Sequence, residues 1–226
     1  MSGAGDSTLR ARLWSAMEPA YDAVLNHPFL TELAAGTLDP AAFAFYLTQD
    51  SHYLRDYARA LSIVGAKAPT DGGVAMFARH AAGAVAVEQA LHATLLAELG
   101  LDPATLEEIP VAPTNRAYTS YLLSTAYGGS FADGLGAVLP CYWIYWEVGQ
   151  RLVGRGSPDP RYQRWIDTYA GEEFAAIVAE VLAVVDRLEP TLSPAAEARM
   201  RGHVVTTSRY EWMFWDMGYR QERWPV

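Results

Sequence analysis

The sequence predicts an all-α protein built as one helical bundle. Three observations carry that prediction. Helix-start signals recur along the chain, and several are a capping residue followed directly by proline. Strand-like alternation of apolar and polar residues is nearly absent. No repeat, low-complexity tract or linker interrupts the 226 residues, so one domain spanning 1–226 is expected.

Leu9 to Leu25 reads as the first helix, ended by Asn26-His27-Pro28. Gly36-Thr37-Leu38-Asp39-Pro40 starts the next. The Asp39 carboxylate can accept from an orphan amide there, and Pro40 loses an N–H that has no helical partner anyway. That helix should reach about Lys67, ahead of Ala68-Pro69. Thr70 and Asp71 are candidate caps for a helix running to Leu99 and stopping at Gly100. Pro113-Thr114 opens a shorter helix through Tyr127, closed by Gly128-Gly129. Ser130 caps another that runs towards Val153-Gly154. Pro140 lies inside it, has no N–H and crowds the carbonyl four residues back, so a kink or a break is expected there. After Gly156-Ser157-Pro158 come Arg161 to Tyr169 and Glu172 to Leu188, and Ser193-Pro194 opens a last helix reaching Arg220. Seven or eight helices result, and Gly100 to Pro113 is the longest irregular piece.

Composition narrows the function classes. Apolar residues make up 51% and charged residues 19%, which excludes disordered, collagen-like and mucin-like chains. A chain of this length buries roughly 70–75% of its unfolded surface and needs no staples. A net charge of −9 argues against a nucleic-acid partner. Cys141 is the only cysteine, so no intrachain disulfide is possible and a reducing, cytoplasmic setting is expected. Met1 to Thr8 is small and polar, without the apolar core of a signal peptide. No uncharged apolar run of about 18 residues exists, so no membrane segment is expected. Even Phe174 to Val185, the most apolar late stretch, carries Glu180.

Three spots carry candidate chemistry. Tyr46, Asp50, Tyr53 and Tyr57 are spaced four, three and four apart and share one helical face. A tyrosine stripe is ordinary core. A carboxylate within it is costly to bury unless paired, so Asp50 either meets a buried cation or awaits a ligand with a donor edge. Leu139 to Glu147 is the second spot. Cys141 directly follows the expected proline break, where free amides and the helix dipole would favour a thiolate. The ordinary fate of a lone cysteine is a buried structural position. The third is Glu211 between Tyr210, Trp212, Phe214 and Trp215. Facing inward it would have the raised pKa of a general acid; facing outward it would be a solvated glutamate. Aromatic residues surround it on all sides, so periodicity leaves both readings open. Arg161 to Tyr169 adds a further aromatic face.

Metal chemistry is weakly encoded. Di-iron bundles carry Glu-x-x-His on two helices, and this chain has none. Glu88 and His92 could share a face, but the late helix offers Glu211 and Trp215, so the second histidine is missing. Five unclustered histidines make a poor case for haem. Phosphate-binding loops and Gly-x-Ser-x-Gly elbows are absent.

Taken in order, these segments resemble the TenA (thiaminase II) family. Asn26-His27-Pro28-Phe29, Gly36-Thr37-Leu38 and Phe43 to Tyr57, with Gln49-Asp50-x-x-Tyr53-Leu54, resemble its opening. The match continues at Glu88-x-x-x-His92, Leu139-Pro140-Cys141-x-x-x-Tyr145 and Tyr162-x-x-Trp165-Ile166-x-x-Tyr169, and ends at Glu211-x-x-Phe214-Trp215-Asp216. It covers about residue 14 to 219. Each motif alone is weak; their common order and spacing carry the resemblance.

The resemblance implies a haem-oxygenase-like helical bundle, a homotetramer and no cofactor. It implies salvage of thiamine breakdown products: the amine of 4-amino-5-aminomethyl-2-methylpyrimidine is replaced by hydroxyl, giving hydroxymethylpyrimidine and ammonia. Some members also cleave thiamine. The family's nucleophile matches Cys141, its ring-binding aspartate Asp50 and its acid–base glutamate Glu211. Its pocket tyrosines match Tyr53, Tyr145 and Tyr169, with Tyr118 a looser match. Aromatic walls suit a flat heterocycle, and net acidity suits a cationic amine. Two other classes share the resemblance. One is a different enzyme on the fold, such as a di-iron oxidase or the synthase of pyrroloquinoline quinone; the missing second histidine argues against the oxidase. The other is a non-catalytic relative that binds a pyrimidine or a partner and regulates.

Overall fold

Proline at the first helical turn starts five helices, and the residue before it decides how each is capped. Asp39, Asp159 and Ser193 accept from the amides of Ala41, Arg161 and Ala196. His27 does the same with its ring nitrogen, Nδ1, which accepts from Phe29 N at 3.1 Å. The fifth start, at Pro113, has no such cap; Glu222 near the C-terminus instead accepts from Thr114 N at 2.9 Å.

The computed structural model describes residues 8–91 and 109–226, the side chains of the first stretch through residue 86. Among the described residues it is all-α: α1 (Leu9–Leu25), α2 (Pro28–Ala35), α3 (Pro40–Ala66), α4 (Asp71–Leu91), α5 (Pro113–Gly128), α6 (Phe131–Val153), α7 (Pro160–Ala170), α8 (Glu172–Leu188) and α9 (Pro194–Arg220), with a 3-10 turn at Glu189–Thr191. None of these helices is long and apolar enough to cross a membrane. The expected continuation of α4 to Leu99 and the irregular stretch from Gly100 lie outside the described residues.

Two expectations are corrected. Asn26-His27-Pro28 does not simply end a helix. It also begins α2, two turns long, which stops at Gly36 in the left-handed conformation (φ 72°). And Pro140 does not break α6, which runs unbroken from Phe131 to Val153. Proline removes one bond from the ladder, whereas α6 packs against α9, α7, α5, α8, α3 and α1, and that burial holds the helix together.

α3, α6 and α9 form the centre. Their inner faces bury Phe43, Tyr46, Leu139, Ile144, Val204, Phe214 and Trp215. Lys67, the only lysine in the chain, closes one end. Its ammonium donates to the carbonyls of Ala126 (2.7 Å), Tyr127 (2.8 Å) and Gly129 (2.6 Å), which the end of α5 leaves without helical partners.

Gly149 sets the distance between α6 and α7. A Cβ there would lie 2.6 Å from the carbonyl carbon of Tyr169 and 2.7 Å from the amide of Ala170, both rigid backbone. Gly149→Ala must therefore push the end of α7 outward. The expected cost is about 1–3 kcal/mol, several degrees in the thermal midpoint. A midpoint unchanged within a degree would show that the two helices separate freely.

Candidate active site

The tyrosine stripe of α3 faces the interior: Tyr46, Asp50, Tyr53 and Tyr57 are all buried, Asp50 with 5% of its surface exposed. Tyr46 Oη lies 3.1 Å from Tyr145 Oη on α6. Tyr57 Oη donates to the Val138 carbonyl at 2.9 Å. Tyr53 Oη is buried without a geometric hydrogen-bond partner. The Tyr53 ring packs against Tyr57, Tyr118 and Phe214, with centroids 5.4, 5.1 and 5.4 Å away.

Cys141 projects from the middle of α6, so the free amides expected at a fresh helix start do not exist there. The thiol is correspondingly not a thiolate at rest. Burial pushes its pKa well above the ordinary value, the nearby Glu211 and Asp50 charges add to that, and the neighbouring Tyr53 and Tyr57 hydroxyls oppose it. Cys141 and Tyr169 nevertheless keep some accessible surface, although Tyr169 packs against the rings of Tyr145 and Trp165. The interior is therefore not packed solid at this point.

Glu211 faces inward, with 1% of its surface exposed. Tyr118 Oη donates to its Oε1 at 2.5 Å. Burial, with a smaller contribution from the Asp50 charge and against the Tyr118 hydrogen bond, raises its pKa to about 8. At neutral pH it is mainly a carboxylic acid, the form a proton donor needs.

All seven sequence-predicted residues thus meet in one place, delivered by five helices: Asp50 and Tyr53 from α3, Tyr118 from α5, Cys141 and Tyr145 from α6, Tyr169 from α7 and Glu211 from α9. Tyr145 and Tyr169 pack with centroids 4.8 Å apart, and Tyr145 stacks on Trp215 at 5.1 Å. Burial first, and after it the charges of Asp50, Cys141 and Glu211, push up the Tyr169 pKa. A nucleophile, two carboxyl groups and flat aromatic walls make a site for covalent acid–base chemistry on a planar ring. Two surface depressions, of about 540 and 680 Å³, lie elsewhere; neither is lined by any of the seven. Glu88 and His92 lie outside the residues whose side chains are described.

Sequence reasoning missed the clamp that presents Tyr118. Gln49 lies beside Asp50 but is fully buried on another face. Its amide donates to Pro110 O and accepts from Ala112 N, both at 2.9 Å, while Asn115 Nδ2 donates to Gln49 O at 2.7 Å. This ties the segment entering α5 onto α3, and hence Tyr118 onto Glu211. No local pattern marks it, because its partners are about 60 residues away in sequence.

The model of the TENA/THI-4/PQQC family matches residues 14–221. The aminopyrimidine aminohydrolase of Halalkalibacterium halodurans is 36% identical over 95% of this chain and 96% of its own. A solved TenA homologue from P. horikoshii OT3 is 30% identical, with a TM-score of 0.87 over 95% of this chain and 99% of its own. A domain of unknown function with a haem-oxygenase-like fold from Shewanella denitrificans superposes with a TM-score of 0.74 over 93% of this chain and 91% of its own. At 16% identity that likeness shows the fold alone, and it is the fold expected.

The raised Glu211 pKa couples stability to pH. The folded protein holds this proton more tightly than the unfolded chain does, since the pKa rises from 4.5 to about 8. The resulting stability is complete below pH 4.5 and is lost as pH climbs to about 8. Glu211→Gln removes the titration. Wild-type stability relative to this variant should fall by about 1.4 kcal/mol per pH unit across the window and then level off. Urea unfolding at several pH values measures it; a flat difference would mean that Glu211 is solvated.

Proposed function

Since the chain belongs to the TENA/THI-4/PQQC family, we propose that it is an aminopyrimidine aminohydrolase (thiaminase II). It hydrolyses 4-amino-5-aminomethyl-2-methylpyrimidine to 4-amino-5-hydroxymethyl-2-methylpyrimidine and ammonia in thiamine salvage, and takes intact thiamine as a second substrate. It works without a cofactor, as a cytoplasmic homotetramer. The observation that supports this most is the meeting of Cys141, Asp50 and Glu211 inside one aromatic shell.

Each residue has one task in this reading. Cys141 sulfur adds to a pyrimidine ring carbon and pushes an electron pair into the ring. The Asp50 carboxyl supplies a proton at a ring nitrogen. Glu211, protonated at neutral pH, gives its proton to the exocyclic amine, which leaves as ammonia. The carboxylate so formed takes a proton from water as its oxygen adds to the exposed methylene. The ring nitrogen then returns its proton to Asp50 and the sulfur departs. Tyr53, Tyr118, Tyr145 and Tyr169 hold the ring flat and keep bulk water out.

Cys141→Ser keeps the fold, because the side chain is nearly isosteric, and should lower ammonia release by orders of magnitude. Ammonia release at the wild-type rate would remove the covalent step. A protein that binds the product pyrimidine in calorimetry, yet releases no ammonia from aminomethyl, formylated or thiazolium substrates, would be a non-catalytic relative.

Glu211→Gln keeps the shape but cannot protonate the leaving group. Turnover of the aminomethyl substrate should drop roughly a hundred-fold or more. Thiazolium leaves without a proton, so thiamine cleavage should drop less. The ratio of the two rates in wild type and variant is the measurement. Equal slowing would move Glu211 from amine expulsion to water activation.

A further inference from the structure

The proposed reaction leaves the proton of the Cys141 thiol without a destination. Burial keeps the thiol protonated at rest. Glu211 already carries a proton at neutral pH and commits it to the amine, and in the proposed reaction the Asp50 carboxyl commits its own proton to the ring nitrogen. A base elsewhere must be reached, and a line of side chains leads to one. The Tyr57 hydroxyl is anchored 2.9 Å from the Val138 carbonyl, one turn before Cys141 on α6, and its ring lies 5.8 Å from that of Tyr142; its hydroxyl influences the ionisation of both Cys141 and Tyr142. Tyr142 Oη lies 3.1 Å from His80 Nδ1. His80 Nε2 lies 2.9 Å from Glu180 Oε2. His80 is 7% exposed, whereas the Glu180 side chain is 47% exposed, so the line runs from the nucleophile to water.

The charges around His80 suit a proton acceptor. Glu180 reaches it from α8 and Tyr142 from α6; on its own helix Arg79 pairs with Glu180 at 3.1 Å. Tyr57 of α3 influences Tyr142, which in turn contacts it. Burial holds the imidazole below the ordinary histidine pKa in spite of Glu180, so it is neutral at neutral pH. With its Nε2 proton on Glu180, Nδ1 is left free to accept from Tyr142. A histidine that merely filled space would need neither alignment.

We propose that Tyr57, Tyr142, His80 and Glu180 form the proton exit route of Cys141, with His80 as its acceptor. The role rests on the reaction proposed above. As the S–C bond forms, the thiol proton passes to Tyr57 Oη. The hydroxyl proton of Tyr57 turns from the Val138 carbonyl to Tyr142 Oη, and that of Tyr142 passes to His80 Nδ1. The Nε2 proton moves to the Glu180 carboxylate and on to water. When sulfur leaves the ring, the same steps run backwards and restore thiol and tautomer. His80 and Glu180 never touch substrate; they act through the tyrosines.

Chemical rescue tests the route. His80→Ala should lower kcat/KM for ammonia release at least tenfold. Added imidazole should restore most of it, and pyrazole, of the same shape but far weaker as a base, should not. Tyr142→Phe should show the same loss with no rescue by imidazole. Equal rescue by both azoles, or full activity in His80→Ala, overturns the route. If His80→Ala does not fold, His80→Gln replaces it. The wild-type profile should then fall as pH drops through the lowered histidine pKa, and that acid limb should vanish in the glutamine variant; its persistence overturns the route. A wild type that releases no ammonia overturns the proposed reaction alone. In that event alkylation of Cys141 by iodoacetamide, followed by mass spectrometry, reads the route. It should slow in His80→Ala and recover with imidazole only, and an unchanged rate overturns the proposal.

Discussion

The molecule is organised around the cost of placing a thiol and two carboxyl groups inside an aromatic core. In water Cys141, Asp50 and Glu211 would be unremarkable. In this interior, burial raises both the thiol and the Glu211 carboxyl pKa, and each charge makes its neighbours harder to ionise. The surroundings answer with polar tips on apolar bodies. Tyr118 donates to Glu211, and Tyr53 and Tyr57 flank the sulfur, while the rings below them supply core packing. Tyrosine does both jobs at once, which explains why an apolar core is so rich in it.

That arrangement demands accuracy from the helices that deliver it. Five helices contribute to one small volume, so each must be fixed along its axis as well as around it. Gly149 brings the backbone of α7 against α6 and places Tyr169 on Tyr145. Gln49 and Asn115 fasten the start of α5 to α3. Glu222, from beyond α9, caps the same start from outside. Each device uses backbone contact or a buried hydrogen bond, which are stiffer than side-chain packing alone.

The protonated resting state of Cys141 and Glu211 follows from the same burial. A thiol and a carboxylic acid cost less to bury than a thiolate and a carboxylate, so the protein stores these two groups protonated. The proposed chemistry needs paths for protons as much as it needs a nucleophile. Histidine 80 becomes interpretable in that light: it is a neutral base joined by hydrogen bonds to a tyrosine on one side and an exposed carboxylate on the other.

Helix positions were legible in the sequence because capping is local. An Asp-Pro or Ser-Pro start, or a Gly-Gly stop, acts through neighbours a few residues away. The stripe of α3 was legible too, because helical periodicity reports which residues share a face. The family motifs named the seven residues that meet. Tertiary structure alone decided the rest. Pro28 reads equally as a stop and as a first turn, and α2 exists because Phe29, Leu30 and Leu33 find a core to enter. Pro140 reads as a break, and α6 stays whole because six helices pack around it. Glu211 has aromatic residues on every side, so only the position of α5 and its Tyr118 shows that it points inward. The ionisation of Cys141 and the connection from His80 to the core depend on partners brought from distant parts of the chain. Periodicity states which residues share a face; what covers that face, and therefore its dielectric and its proton affinities, is a property of the assembled bundle.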